Sequence, residues 1–247
     1  MLLFTQRRDQ TTLLRQWSQN THIKYLLTSE QQVLEQVLEN YFGSYCLQFN
    51  PLTSLALPNA IRRHISLGAE VFNPDIICAE HAWPCHLDEA DVVVLQHSLE
   101  FAKQPHDLLR EAAKVVRPGG HLVLTGTASW SCWSVFQRYQ LGILRSRIYN
   151  VRKLVEWLSV LGLVVEMKYY GAYLPHFAIK KEQQAHTAVR GKGFRPLAGF
   201  YVLSARKLVH GARLVKEPLL KSIRPLIPMP AQTRVGESHL EKKSSHE

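Results

Sequence analysis

The chain has 247 residues and a mass of 28.3 kDa, 46% hydrophobic and 20% charged, enough for one full globular core with an appendage. This composition excludes a disordered, collagenous or disulfide-scaffold protein. The net charge of +10 is unevenly placed: residues 1–179 hold 16 Lys and Arg against 15 Asp and Glu, whereas residues 180–247 hold 14 against 5.

The first ten residues, MLLFTQRRDQ, carry too short an apolar run for a signal peptide, and the arginines follow that run instead of preceding it. No stretch reaches the roughly 18 apolar residues of a spanning helix; the best candidate, residues 155–165, is interrupted by Glu156 and Ser159. Cys46, Cys78, Cys85 and Cys132 are expected to stay reduced thiols, and the expected location is cytoplasmic.

In chain order, residues 1–28 read as a helical lead-in. Ser29 and Gln32 fit a capping box, followed by Val33, Leu34, Val37, Leu38 and Tyr41 on one helical face and by Gly43 as a stop. Tyr45-Cys46-Leu47-Gln48-Phe49 is the first predicted strand, His64 to Leu67 the second and Ile76 to Cys78 the third. Val92-Val93-Val94-Leu95 is a continuous apolar run, the pattern of a strand buried on both faces of a parallel sheet. A helix with Leu108, Leu109, Ala112, Val115 and Val116 facing inward follows, stopped at Pro118-Gly119-Gly120, and Leu122 to Leu124 is the next strand. Strand, helix and strand within about 35 residues make a βαβ unit with a right-handed crossover. Val151, Leu154, Val155, Leu158 and Leu161 mark another helix, and strands are predicted over residues 163–170 and 200–205. The expected fold is α/β: a Rossmann-like, doubly wound, mostly parallel seven-stranded sheet with helices on both faces, spanning residues 29–207.

The block DVVVLQHSLEF…PHDLLREAAKVVRPGGHLVLTG, residues 91–126, resembles the second half of a class I S-adenosylmethionine-dependent methyltransferase of the type 11 group. The similarity extends more loosely over residues 29–207, through NVRKLVEWLSVLGL and the final FYVLSARK, with the WPC of residues 83–85 in the place of the family's LPF. The resemblance implies the fold, S-adenosylmethionine as cofactor, and a turn-forming role for Pro118 and its two glycines. It also exposes a departure. The family's first strand leads into a glycine-rich motif whose missing Cβ atoms let backbone approach the cofactor, and the corresponding stretch here, CLQFNPLT, contains no glycine.

On that alignment the cofactor contacts fall at Gln48, Asn50, Ala79, Glu80 and Gln96. Asn50-Pro51 either forms a tight turn beside the cofactor or merely ends a strand. Glu70 is the nearest acid after the second strand, Ala79 stands where the adenine-contacting Asp is usual, and Glu80 is its neighbour. His97, just past the fourth strand, is the candidate general base, set against a purely structural histidine. Thr125 and Thr127 end the next strand and are expected to line the acceptor pocket, with Arg145 and Tyr149 covering it.

Other chemistries find no support: G-x-S-x-G, Walker A and H-E-x-x-H are all missing. Cys78, His81, Cys85 and His86 crowd a single loop without a standard zinc spacing, so no metal is expected. Trp130 and Trp133 either stack on a planar substrate or cover one helix face. Residues 208–247 form a basic, proline-containing tail expected to be partly disordered and able to meet RNA or another anionic surface, or simply to solubilise the chain. Two functions follow: a methyltransferase acting on an unidentified acceptor, or a catalytically silent methyltransferase-like binding module that contacts RNA through its basic end.

Overall fold

In a computed structural model of the chain, the described residues are 2–56, 58–129, 147–173, 189–190 and 198–209, without the side chains of residues 2–10, 22, 189 and 190. The described residues all belong to one compact unit; residues 213–247 lie outside the described residues, as do Trp130, Trp133 and Arg145.

One sheet organises this unit. Its strands are β1 (Gly43–Phe49), β2 (Ile61–Gly68), β3 (Ile76–Ile77), β4 (Ala90–Gln96), β5 (Val116–Thr127), β6 (Leu163–Gly171), β7 (Val189–Arg190) and β8 (Phe200–Lys207). They run in the order β3-β2-β1-β4-β5-β8-β6-β7. The first five are parallel, and β8 inserts antiparallel between β5 and β6. The expected seven-stranded, doubly wound sheet is therefore present, with two-residue β7 added along the edge of β6. The chain winds outward from β1 in one direction and from β4 in the other, so the order reverses between these two strands.

Every residue of β4 is buried, which explains the unbroken apolar run that marks it. Alternate residues of the central strands serve opposite faces. Val93, Leu95, Leu122 and Leu124 pack with α4 (Pro105–Val115) and α5 (Val151–Val160) through Leu108, Leu109, Leu154 and Leu158. Val92, Val94, Val123 and Val202 pack instead with α1 (Leu2–Gln19) and α2 (Thr21–Leu38) through Leu14, Trp17, Leu26, Leu34 and Leu38. Each such leucine, wholly buried, contributes about 1.5–3 kcal/mol. Helices thus cover both faces. None among the described residues is long and apolar enough to cross a membrane.

Two expectations need correction. The second helix begins at Thr21, not at Ser29, because Ile23, Leu26 and Leu27 extend the apolar stripe of Val33, Leu34, Val37 and Leu38 one face further back; Ser29 is buried in mid-helix. Arg117-Pro118-Gly119-Gly120 is not a turn between helix and strand. Helix α4 ends at Val115 and β5 starts at once, with Ala90 opposite Val116 and Val92 opposite His121, so these four residues bulge within the strand. Gly119 permits the bulge by adopting φ +82°, which a side chain would oppose.

The parallel strands β1 and β2 are joined by residues 50–60, and β2 and β3 by residues 69–75. No α-helix occurs in either link among the described residues, which contain only a 3-10 turn, Glu70–Phe72. Helix α2 ties down the first link: Gln31 Nε2 donates to Ser54 O at 2.7 Å, and Ala56 N donates to Glu35 Oε1 at 3.0 Å. Helices α1 and α2 therefore lie over the carboxyl end of β1, where a link of this kind ordinarily carries its own crossover helix.

Candidate active site at the carboxyl ends of the strands

Ligands of doubly wound sheets bind beyond the carboxyl ends of the strands, at the reversal of strand order. Here that point lies between Phe49 and Gln96. Strand β1 leaves the sheet through Asn50 at φ 48°, β2 through Gly68 at φ 144°, and β4 through His97 at φ 49°. Asparagine tolerates the left-handed region that a glycine would otherwise supply. Asn50 also fills space: its Oδ1 accepts from Ala69 N at 3.0 Å, and a Cβ on Gly68 would lie 2.1 Å from that oxygen. The absent glycine after β1 and the glycine that ends β2 are two halves of one fit. Short helix α3 (Ser98–Phe101) starts at the end of β4, and Ser98 Oγ donates to Phe49 O at 3.3 Å, closing the gap between β1 and β4.

Behind this edge lies a buried charged cluster. His97 Nε2 is 2.7 Å from Glu30 Oε2 of α2, and its Nδ1 is 3.3 Å from Glu100 Oε2 of α3; all three side chains are at most 1% exposed. Glu30 Oε1 also accepts from Gln96 Nε2 at 3.0 Å and from Thr125 Oγ1 at 2.7 Å. Glu100 accepts from Thr127 N and, at 3.2 Å, from Thr127 Oγ1. The Trp17 ring of α1 covers the imidazole with centroids 4.7 Å apart. Burial alone would lower the His97 pKa, but the two carboxylates and their hydrogen bonds outweigh it and raise it to about 10. The ring is then an imidazolium with both N–H groups donated, and it offers no lone pair to a substrate. Burial, and then the same carboxylates, hold the Tyr201 phenol well above its ordinary range. Glu30 and Glu100 were not among the residues expected from sequence. The available signal was an acid amid Ile23, Leu26, Leu27 and Leu34 on an apolar helix face, a position an acid occupies only with partners.

A cavity of about 420 Å³ opens beside the cluster, against the link that follows β1. Pro51, Leu52, Thr53 and Phe72 form its sheet side, and Arg15, Lys24, Leu27 and Thr28 its helical side. Of the residues aligned with cofactor contacts, Gln48 and Gln96 stand behind this wall and hold Thr53: Gln48 Nε2 donates to Thr53 O and Thr53 Oγ1 donates to Gln96 Oε1, both at 3.2 Å. Gln48 Oε1 is buried without a hydrogen-bond partner among the described residues.

The remaining expected site residues are dispersed. Ala79 bridges to Ala82 within its own loop, and Glu80 Oε2 accepts from Lys103 N at 3.1 Å. Glu70 is exposed. Thr125 and Thr127 point their hydroxyls at the buried acids and line neither cavity described here. Tyr149 lines a second cavity beside α4, and Arg145 lies outside the described residues. Cys78 and Cys85 are free thiols with pKa values raised by burial, Cys78 to about 11. No metal-holding group of three or more His, Cys, Asp or Glu occurs among the described residues.

Comparison with known proteins places this geometry. Residues 59–124 match the family model described as a methyltransferase domain. The chain is 35% identical over 92 residues to YafS, an uncharacterised protein of Escherichia coli K12; the match spans 33% of this chain and 38% of the length of that relative. Its fold is similar to that of an S-adenosylmethionine-dependent methyltransferase from Thermotoga maritima, with a TM-score of 0.55 and 14% identity over 83% of this chain and 96% of the other. It is similar also to the YcgJ protein of Bacillus subtilis, with a TM-score of 0.52 and 12% identity over 72% and 98% of the two chains. The sheet is thus the class I methyltransferase fold, with the strand order of that class.

Proposed function

We propose that this chain, built on the class I methyltransferase fold and matching the methyltransferase-domain family over residues 59–124, is an S-adenosylmethionine-dependent methyltransferase that holds its cofactor in the cavity beside β1. The observation that carries the reading is the position of that cavity, at the carboxyl ends of β1 and β2 and next to the reversal of strand order. Its volume of about 420 Å³ falls in the range of small-molecule sites. Its walls suit the cofactor's parts. Arg15 and Lys24 would take the carboxylate, Ser18, Thr28 and Thr53 the ribose hydroxyls, and Leu52 and Phe72 the flat face of the adenine.

The cofactor supplies an activated methyl group on a sulfonium, so the protein's task is alignment and exclusion of water. Gln48 and Gln96 fix Thr53 in the cavity wall, and Asn50 with Gly68 fixes the two strand ends around it. Helices α1 and α2 wall one side of the site, anchored on the sheet by the Glu30–His97 pair. In this reading His97 is a positioning residue, not the general base expected from sequence, and an acceptor proton leaves to water.

A second reading is favoured by one feature. Among the described residues the cavity is lined by two cations and no carboxylate, an unfavourable environment for a sulfonium and without an acid for the ribose hydroxyls. A catalytically silent module on the same fold would look like this, with RNA contacted through the basic carboxyl region. Calorimetry with S-adenosylmethionine and S-adenosylhomocysteine separates the two. The enzyme reading expects saturable binding and a rise in melting temperature, both weakened about tenfold by Arg15→Ala. No heat and no shift at millimolar ligand would establish the silent module.

A further inference from the structure

The second cavity, of about 490 Å³, lies beside the start of α4 and is built from residues far apart in the chain. Its floor is aromatic. The His106 and Trp157 rings meet with centroids 3.9 Å apart, Tyr149 meets Trp157 edge-on at 5.1 Å, and Lys153 Nζ stands 5.3 Å from the indole centroid. Its rim is cationic: Lys103, Arg147 and Lys153 all line it. The backbone beneath them is fixed, since Lys103 N donates to Glu80 and Arg147 N to Glu100 O at 2.9 Å.

Five basic side chains elsewhere on this unit are ion-paired. Arg110 pairs with Asp107, Lys114 with Glu111, Arg117 with Asp91, Arg206 with Glu166 and Lys207 with Asp88. Lys103, Arg147 and Lys153 make no ion pair among the described residues, although they converge on one concavity. The one acid in its lining among the described residues, Asp107, is engaged at 3.0 Å by Arg110. Three cations without an ion-pair partner among the described residues, set around an indole, form a site for a flat ring with negative charge at its edge: the ring lies against Trp157 and Tyr149, and the charge meets the rim.

We propose that this cavity binds a planar aromatic ligand carrying a carboxylate or a phosphate. The site is distinct from the cavity beside β1 and stands whether or not that one holds a cofactor.

The test is calorimetry on the full chain at low ionic strength with four probes: 4-hydroxybenzoate, adenosine monophosphate, and their neutral counterparts 4-hydroxybenzyl alcohol and adenosine. Saturable binding of either anion is expected, with its neutral counterpart at least about tenfold weaker. Which anion binds decides between a small aromatic acid and a phosphate-bearing nucleoside. Exposed Lys153 carries no core packing, so Lys153→Glu should keep the melting temperature and weaken the bound anion by about tenfold or more; Trp157→Leu should remove the preference for a ring over inorganic phosphate. Failure of both anions to bind at about 5 mM, equal binding of the neutral probes, unchanged affinity in Lys153→Glu, or equal affinity for inorganic phosphate would each overturn the proposal. S-adenosylhomocysteine titrated into Lys153→Glu reads the β1 cavity separately, so the two assignments fail independently.

Discussion

His97 shows how strongly a neighbourhood can rewrite a side chain's chemistry. In the unfolded chain its pKa is near 6.5, and in the fold it rises to about 10. The folded state therefore binds more protons between these values. The stabilisation is complete below about pH 6.5 and is lost as the pH climbs toward about 10. Urea denaturation at several pH values should show stability of the wild type falling across this window, with a flatter slope in His97→Gln. Equal slopes would mean that the imidazole titrates alike in both states. Removing one acid leaves the pair uncompensated, so Glu30→Ala should cost about 3–5 kcal/mol. The fit of Asn50 against Gly68 makes a second prediction. Gly68→Ala forces a Cβ onto Asn50 Oδ1 and strains φ 144°, at a cost of about 1–3 kcal/mol. Adding Asn50→Gly should recover part of that loss in the denaturation midpoint, because it removes the clash and leaves the strain.

Among the elements, β8 pairs antiparallel with β5, and a lysine at its end adds a side-chain tie to the parallel half of the sheet. Lys207 Nζ donates to Ala113 O and Val116 O, each at 2.7 Å, and meets Asp88 Oδ1 at the same distance. The carbonyls at the end of α4 have no partners within their helix, so this ammonium satisfies them and favours the negative end of the helix dipole. Lys207→Met keeps the stem and removes the donors. It should cost about 1–3 kcal/mol, read as a lower urea midpoint with an unchanged m-value. At the same edge of the sheet, Asp91 accepts from Ser44 N at 2.6 Å and Tyr45 N at 2.9 Å and pairs with Arg117 at 2.7 Å, joining the starts of β1, β4 and β5. These ties sit away from the candidate site, so their loss should lower stability before it touches binding.

For the whole molecule, the compact unit contains both apolar clusters, so a chain ending at residue 212 should unfold with a midpoint close to that of the full chain. The excess positive charge belongs to residues 180–247. Residues 213–247 hold 7 Lys and Arg against 4 Asp and Glu, so the shortened chain keeps most of that excess; salt-sensitive attraction to RNA, measured by anisotropy, should weaken only in part, and retention of full binding would assign it to residues 1–212.

The order of elements, the buried run of β4, the amphipathic α4 and α5 and the closing strand β8 were legible in the sequence, because each rests on a local period of apolar residues and on glycine or proline stops. The absence of glycine after β1 was equally legible. What it meant was not. Only the folded chain brings Asn50 against Gly68, residues far apart in sequence whose shapes make sense together. Likewise His97 was visible as a titratable residue at a strand end, but its charge depends on Glu30, 67 positions away, and on Glu100 one helical turn on. Sequence patterns report which face of an element is apolar; they carry no information on which polar groups will share a buried space. Electrostatics at the site act through that shared space, so tertiary structure alone decided that the histidine is a cation held by two acids and that the basic groups near Trp157 converge on one cavity.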